Sequence, residues 1–227
     1  MIPLDHRKPL PKRFYERDPE VVAKGLLGKA LVRTLETKPL GGLIVETEAY
    51  LGSDDPASRA HHGMRSYNRL MWGEPGLAFV YNVHRYWMLN IVAHEPKQVG
   101  AVLIRAIEPF DGLEAMKKSR GIEDIKELTN GPGKLTIALR IDKTLSGVPV
   151  TTYKSGITIA ENKMDVRIRS SHRIGVREDL GKKLRFFIEG NRFVSKKQTR
   201  RWRLSHQPVK VIPSSLGSTI DPRNGID

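Results

Sequence analysis

Cysteine is absent from all 227 residues. That excludes disulfides, thiol nucleophiles and cysteine-ligated zinc or iron–sulfur centres, and it fits an intracellular setting. No run of about 18 apolar residues occurs, so no transmembrane helix is expected. The opening Met1-Ile2-Pro3-Leu4-Asp5-His6-Arg7 lacks the apolar stretch of a secretory signal. Acid is scarce beside base: 25 Asp and Glu against 39 Lys and Arg give a net charge of +14, with a pI of about 10.1. That surplus points to nucleic acid, with an anionic membrane surface or an acidic protein as other partners. The hydrophobic share of 39% is ordinary for a folded domain, and the length allows one substantial domain or two small ones.

Local patterns are strand-rich. Alternation predicts strands near 30–33, 42–50, 78–83, 86–92 and 102–108, the last closed by Pro109, then near 148–152, 157–160, 165–168, 184–188 and 193–195. A short helix is marked by Asp18 as N-cap, Pro19 at its first position and Gly28 as its stop. A second should run from Asp111 to Gly121, opened by a capping-box-like Asp111 and Glu114, and a third should follow Pro132. Strands joined by short turns, with helices at irregular places, indicate an α+β single domain rather than a doubly wound fold.

The most informative stretch is Val45-Glu46-Thr47-Glu48-Ala49-Tyr50. In an extended chain Glu46, Glu48 and Tyr50 share one face, neighbours on that face lying roughly 6–7 Å apart. A carboxylate beside a ring can polarise water and stack a planar group, but E-x-E also describes a solvated strand face. Asp54 and Asp55, ahead of Arg59, His61 and His62, form either a mobile polar loop or, with Glu46 and Glu48, a two-metal nuclease site. Residues 79–90 read as a hairpin with His84 and Arg85 at its tip, suited either to wedging into a duplex groove or to plain packing. Asn82 and Asn90 are unusual in such apolar strands, and a buried Asn needs partners. Asn130-Gly131-Pro132-Gly133-Lys134 resembles a phosphate-cradling turn or an ordinary helix start. Arg173 to Arg177 and Lys182 to Phe187 interleave basic and apolar residues, as a phosphate-facing or a merely solvated strand would.

In chain order, Phe14-Tyr15, Leu26-Leu27-Gly28-Lys29, the run from Val45 to Gly52, Asp55-Pro56-Ala57-Ser58, Asn68 with Met71, Val80-Tyr81, Leu89-Asn90 and Leu103-Ile104-Arg105-Ala106 fall into a pattern. It continues through Glu108-Pro109, Gly131-Pro132, Lys134-Leu135, Arg173-Ile174-Gly175-Val176 and Leu184-Arg185-Phe186. Together these resemble the alkyladenine (3-methyladenine) DNA glycosylase family, the type not built on helix–hairpin–helix motifs, from about Phe14 to Ser195. The resemblance implies a curved, mostly antiparallel sheet with flanking helices and a protruding β-hairpin. It implies that Glu48 activates water against C1′ of a flipped nucleotide, and that Tyr50 and Tyr81 sandwich the extruded base. Asn90 would reject the amino group of guanine, and Arg105 would lie at the back of the pocket near Glu48. This reading requires the Glu48 carboxylate to lie at an opening, close to the rings of Tyr50 and Tyr81.

Three departures from the family pattern stand out, one of them His62, Met64 and Tyr67 where Arg is common. Arg59 replaces a pocket-lining His, and a cation there should disfavour a positively charged methylated purine and suit neutral hypoxanthine. His84-Arg85 replaces a Tyr-Gly wedge, so His84, then Tyr86, is expected to intercalate, with Arg85, Lys134 and Arg173 as further DNA contacts. The expected organisation is a basic arm over 1–13, a glycosylase domain over 14–195 and a basic extension over 196–227. The expected partner is double-stranded DNA carrying a damaged purine, without metal, cofactor or membrane. The protein should act as a monomer in the cytoplasm, at the nucleoid if the source is prokaryotic. A metal-dependent nuclease and a non-enzymatic nucleic-acid-binding module are the alternatives.

Overall fold

One strand organises the fold. In the computed structural model, which describes residues 6–36 and 38–195, β2 (Lys38–Tyr50) is thirteen residues long and changes partner midway. Its first half pairs with β1 (Ala30–Leu35), from Leu35↔Lys38 to Ala30↔Leu43. Its second half pairs with β8 (Arg185–Ile188), through Glu46↔Phe187 and Glu48↔Arg185. Along the other edge it is held by β5 (Ala101–Asp111). The hairpin of β3 (Ala78–Val83) and β4 (Tyr86–Val92) extends the sheet beyond β5, β6 (Ile157–Ala160) extends it beyond β1, and β7 (Ile168–Ser171) lies on β8. Every pairing is antiparallel. A strand that trades one neighbour for another cannot stay flat, and the sheet curls.

Three helices complete an α+β fold. α1 (Pro19–Gly25) starts as its sequence predicts: the Asp18 carboxylate accepts from the Glu20 and Val21 N–H groups, and Pro19 lacks the donor that would be orphaned there. Val22, Ala23, Leu26 and Leu27 are buried, and Thr47 donates to the Ala23 carbonyl at 2.8 Å. The Val45, Thr47 and Ala49 side of β2 therefore faces α1 and the core, leaving Glu46, Glu48 and Tyr50 on the other side. α2 (Leu113–Arg120) and α3 (Pro132–Ala138) follow β5. Among the described residues no helix is long and apolar enough to cross a membrane.

Several expectations fail for identifiable reasons. β5 does not stop at Pro109 but runs to Asp111, because a register shift at Gly41/Gly42 makes a bulge where proline is tolerated. A Cβ on Gly42 would lie 2.1 Å from the Glu108 carbonyl oxygen, so only glycine permits that approach. The Asp111–Glu114 capping box does not form: α2 begins after Gly112, held at φ 71°, with no side-chain cap. Residues 148–152 contribute only a bridge, Leu77↔Pro149, and 193–195 are not a strand. The strand expected at 165–168 lies at Ile168–Ser171 instead. Leu10, placed in a loose arm by composition, is fully buried and donates its N–H to Ile159 at 2.9 Å. The basic extension expected over 196–227 lies outside the described residues.

Candidate active site

On the face of β2 away from α1, Glu48 has no exposed surface. Its Oε2 accepts from the Tyr50 hydroxyl at 2.9 Å and from Arg105 Nη1 at 3.1 Å, and its Oε1 accepts from the Ile174 N–H at 2.8 Å. An ionised carboxylate offers about four lone-pair sites, so roughly one stays free for a further donor. The expected nearness to Tyr50 is present. The expected opening at the carboxylate is not: the half-buried Tyr50 links Glu48 to the surface.

Glu46 has a different environment. It accepts from Arg105 Nε at 2.8 Å, Arg185 Nε at 2.7 Å, and the Ser195 N–H and Oγ at 2.6 and 2.7 Å. Its acceptor sites are filled, so it works as the anchor of a buried cluster. Arg105 divides its fork between the two carboxylates and thereby fixes their spacing. Burial pushes the Arg105 guanidinium towards losing its proton, but the charges of Glu48 and Glu46 outweigh burial and hold its pKa above the ordinary value. Two carboxylates and two guanidinium groups leave the cluster neutral, which makes its burial tolerable. Arg185, Ser195 and the Ile174 N–H were not assigned from sequence. Arg185 signals itself only as a basic residue opposite Glu48 in an otherwise apolar strand.

The rings gather beside this cluster. Tyr50 carries the Arg173 guanidinium 4.7 Å from its centroid, and Tyr81 carries that of Arg59 at 4.7 Å. Burial, then the Glu48 charge, raises the Tyr50 pKa, and burial raises that of Tyr81 against the opposing charge of Arg59. Both phenols therefore remain protonated well above neutral pH. Tyr81 interacts electrostatically with Tyr50 and with Glu48. Asn90 is buried, its amide donating to the Phe79 and Met88 carbonyls at 3.3 and 3.4 Å. Strand pairing explains the gathering: Asn90 lies across from Phe79 on β3 and Leu103 on β5, while Leu103 lies across from Glu48.

The expected DNA contacts separate into two groups. His84 and Arg85 form the exposed tip of the β3–β4 hairpin, and His84 has φ 55°, as a two-residue loop requires at its first central position. Tyr86 is 37% exposed and rests on Gly133, where a Cβ would meet its Cγ at 3.0 Å. The turn before α3 thus props the hairpin, helped by Thr136 donating to the Trp87 carbonyl at 2.9 Å. Lys134 is already paired with Glu127 and Asn130. Arg173 departs furthest from expectation: its guanidinium is buried, bidentate on Asp55 at 2.7 Å for both bonds, and also bonded to Asp179 and the Ala49 carbonyl. It ties the loop after β2 to the segment before β8 and is not free to meet a phosphate. For Asp55, burial pushes the carboxyl up, but the Arg173 hydrogen bonds, the Leu51 and Ala57 N–H groups and the Arg173 charge hold it below the usual range. Glu46, Glu48 and Asp55 are all committed to arginine, and among the described residues no group of three or more His, Cys, Asp or Glu is placed to hold a metal ion.

Comparison with known proteins gives this arrangement its context. Residues 13–192 match the methylpurine-DNA glycosylase (MPG) family. Similar proteins include one from Aeropyrum pernix, 46% identical over 82% of this chain and 93% of its own length, and one from Clostridium perfringens, 42% identical over 83% and 99%. A third, from Koribacter versatilis, is 36% identical over 84% and 94%. Each of the three bears the name "Putative 3-methyladenine DNA glycosylase". The chain belongs to the methylpurine-DNA glycosylase family, hydrolases of N-glycosyl bonds in DNA.

Proposed function

We propose that this enzyme swings a damaged purine out of duplex DNA and cleaves its bond to C1′ with a water directed by Glu48. The observation that carries the reading is the meeting of Tyr50 and Arg105 on one oxygen of Glu48, with Asn90 on β4 and Tyr81 on β3 of the same sheet, beyond β5. Water adds its oxygen to C1′, its proton passes to the carboxylate, and the base leaves with the bonding electron pair. The sugar develops oxocarbenium character, which a nearby carboxylate stabilises while orienting the water. Arg105, kept charged, hydrogen-bonds that carboxylate and holds it in place.

The rings of Tyr50 and Tyr81 take the extruded base between them. Flipping costs a few kcal/mol, and stacking returns about 1–3 kcal/mol for each contact. The opening this reading requires at Glu48 is not met with Tyr50 in place, so the reading holds only if the Tyr50 hydroxyl moves off Oε2 as the nucleotide enters. Asn90, held by the Phe79 and Met88 carbonyls, is a rigid wall against the exocyclic amino group of guanine. Arg59 over Tyr81 puts a fixed positive charge at the pocket, which favours neutral hypoxanthine over cationic methylated purines. His84 fills the gap in the duplex, with Arg85 and Tyr86 beside it. The net charge of +14 supports double-stranded DNA as partner, bound by a monomeric cytoplasmic protein whose glycosylase domain spans residues 14–195.

Duplexes carrying hypoxanthine, 3-methyladenine or undamaged purines, incubated with the protein in chelator, test this reading. Release of free hypoxanthine leaving an abasic site supports it. Strand scission that disappears in chelator identifies a nuclease instead, and a strong preference for 3-methyladenine overturns the role given to Arg59.

A further inference from the structure

Between Arg59 and Arg69 the chain forms a loop whose fixed shape displays unusual side chains. Asn68, fully buried, closes it: Oδ1 accepts from the Arg65 N–H at 2.6 Å, and Nδ2 donates to the Arg59 and Gly63 carbonyls at 2.7 and 3.0 Å. Ala60 and Met71 root the loop in a buried cluster with Phe79, against which Tyr81 packs. Pinned in this way, the loop still leaves Met64 57% and Tyr67 56% exposed. A single exposed apolar residue is ordinary, but two within four positions on a well-braced loop are not. Arg65 and Arg69 are exposed beside them, and neither has a carboxylate partner among the described residues.

We propose that Met64 and Tyr67 form a second DNA-contacting element, distinct from the hairpin tip, that packs against bases beside the damaged nucleotide. The guanidinium groups of Arg65 and Arg69 beside an apolar pair match a surface of phosphates around exposed base faces. Methionine serves as an apolar wedge at base steps, and a tyrosine ring stacks on any base. The loop root touches the same cluster as Tyr81, so a duplex presenting a base to Tyr81 passes close to this loop.

The inference rests on the glycosylase reading of the site, so its test reads binding alone. A labelled duplex containing a tetrahydrofuran abasic analogue, which cannot be hydrolysed, is titrated with the full chain over a series of salt concentrations. A Met64→Ser/Tyr67→Ser protein is expected to bind about tenfold more weakly at every salt concentration with the slope against log salt unchanged, because apolar contacts release no counterions. Arg65→Ala should instead reduce that slope by about one, and Tyr67→Phe, which keeps the ring, should bind as the parent does. Unchanged affinity in the double variant overturns the proposal, as does a loss confined to low salt. A shift in sedimentation showing that the pair holds two copies of the chain together, with DNA affinity intact, also overturns it. Glu48→Gln binding this duplex as the parent does, while releasing base from a lesion-bearing duplex at the parent rate, would defeat the catalytic reading alone.

Discussion

The Tyr50 hydroxyl donates to Glu48 Oε2 across 2.9 Å, joining the ring proposed to stack the base to the carboxylate proposed to activate water. The two roles separate by substitution. Tyr50→Phe removes the hydrogen bond and keeps the ring, so base release should stay within about threefold of the parent. Tyr50→Ala removes the ring as well and should lose about tenfold or more, in line with stacking of ~1–3 kcal/mol per base. Single-turnover excision rates make the comparison, and equal losses in both variants would show that the ring stacks nothing.

Asp55 and Arg173 make the pH dependence calculable in sign. The folded-state pKa of Asp55 is depressed below the unfolded value, which lies near 3.9. The stability it contributes is therefore complete above about pH 4 and is lost as pH falls through the folded-state value. Asp55→Asn should cost about 3 kcal/mol at neutral pH, at the low end for a broken buried pair because Asp179 still holds Arg173. The same change should flatten the acid limb of stability against pH, measured by urea unfolding. A parallel, undiminished acid limb in the variant would assign that limb to other groups.

Arg59 sets the charge of the pocket in this account. Replacing it with His should raise excision of cationic methylated purines relative to hypoxanthine by roughly fivefold, equivalent to ~1 kcal/mol at an exposed site. Competition between two lesion-bearing duplexes in one tube reads the ratio directly. An unchanged ratio would remove Arg59 from substrate choice.

His84 holds a left-handed conformation that glycine adopts without strain, so His84→Gly tests the wedge without damage to the fold. The melting temperature should hold or rise. Excision from duplex should fall by about tenfold while excision from single strands changes little, because only the duplex leaves a gap to fill. Equal losses on both substrates would refute the wedge.

How much of this was legible in the chain differs from residue to residue. Alternation in the run from Val45 to Tyr50 was enough to place Glu48 and Tyr50 on one face, because the period of a strand is local. The same alternation treated Glu46 and Glu48 alike. Only the partner change along β2 shows that Glu46 meets Arg185 and Ser195, which come from far along the chain. Arg173 misled for a similar reason: a basic residue among apolar ones reads as a phosphate contact until Asp55, 118 positions away, is seen to hold it. Leu10 sat in a segment whose prolines and charges suggested an arm, yet one N–H donated to Ile159 and one buried side chain fasten it. The hairpin ends at 78–83 and 86–92 were readable because turn and strand signals agree there. Proline at 109 misled because the permitting glycine lies on another strand, at 42.

The most direct test of the central claim is base release by Glu48→Gln beside its affinity for an uncleavable abasic duplex. Glutamine keeps the shape of the side chain but cannot accept the proton of water. Release should fall by about 10²–10⁴-fold, the usual range for general-base help, with DNA affinity close to the parent's. A variant that binds normally and releases the damaged base at the parent rate would contradict the account.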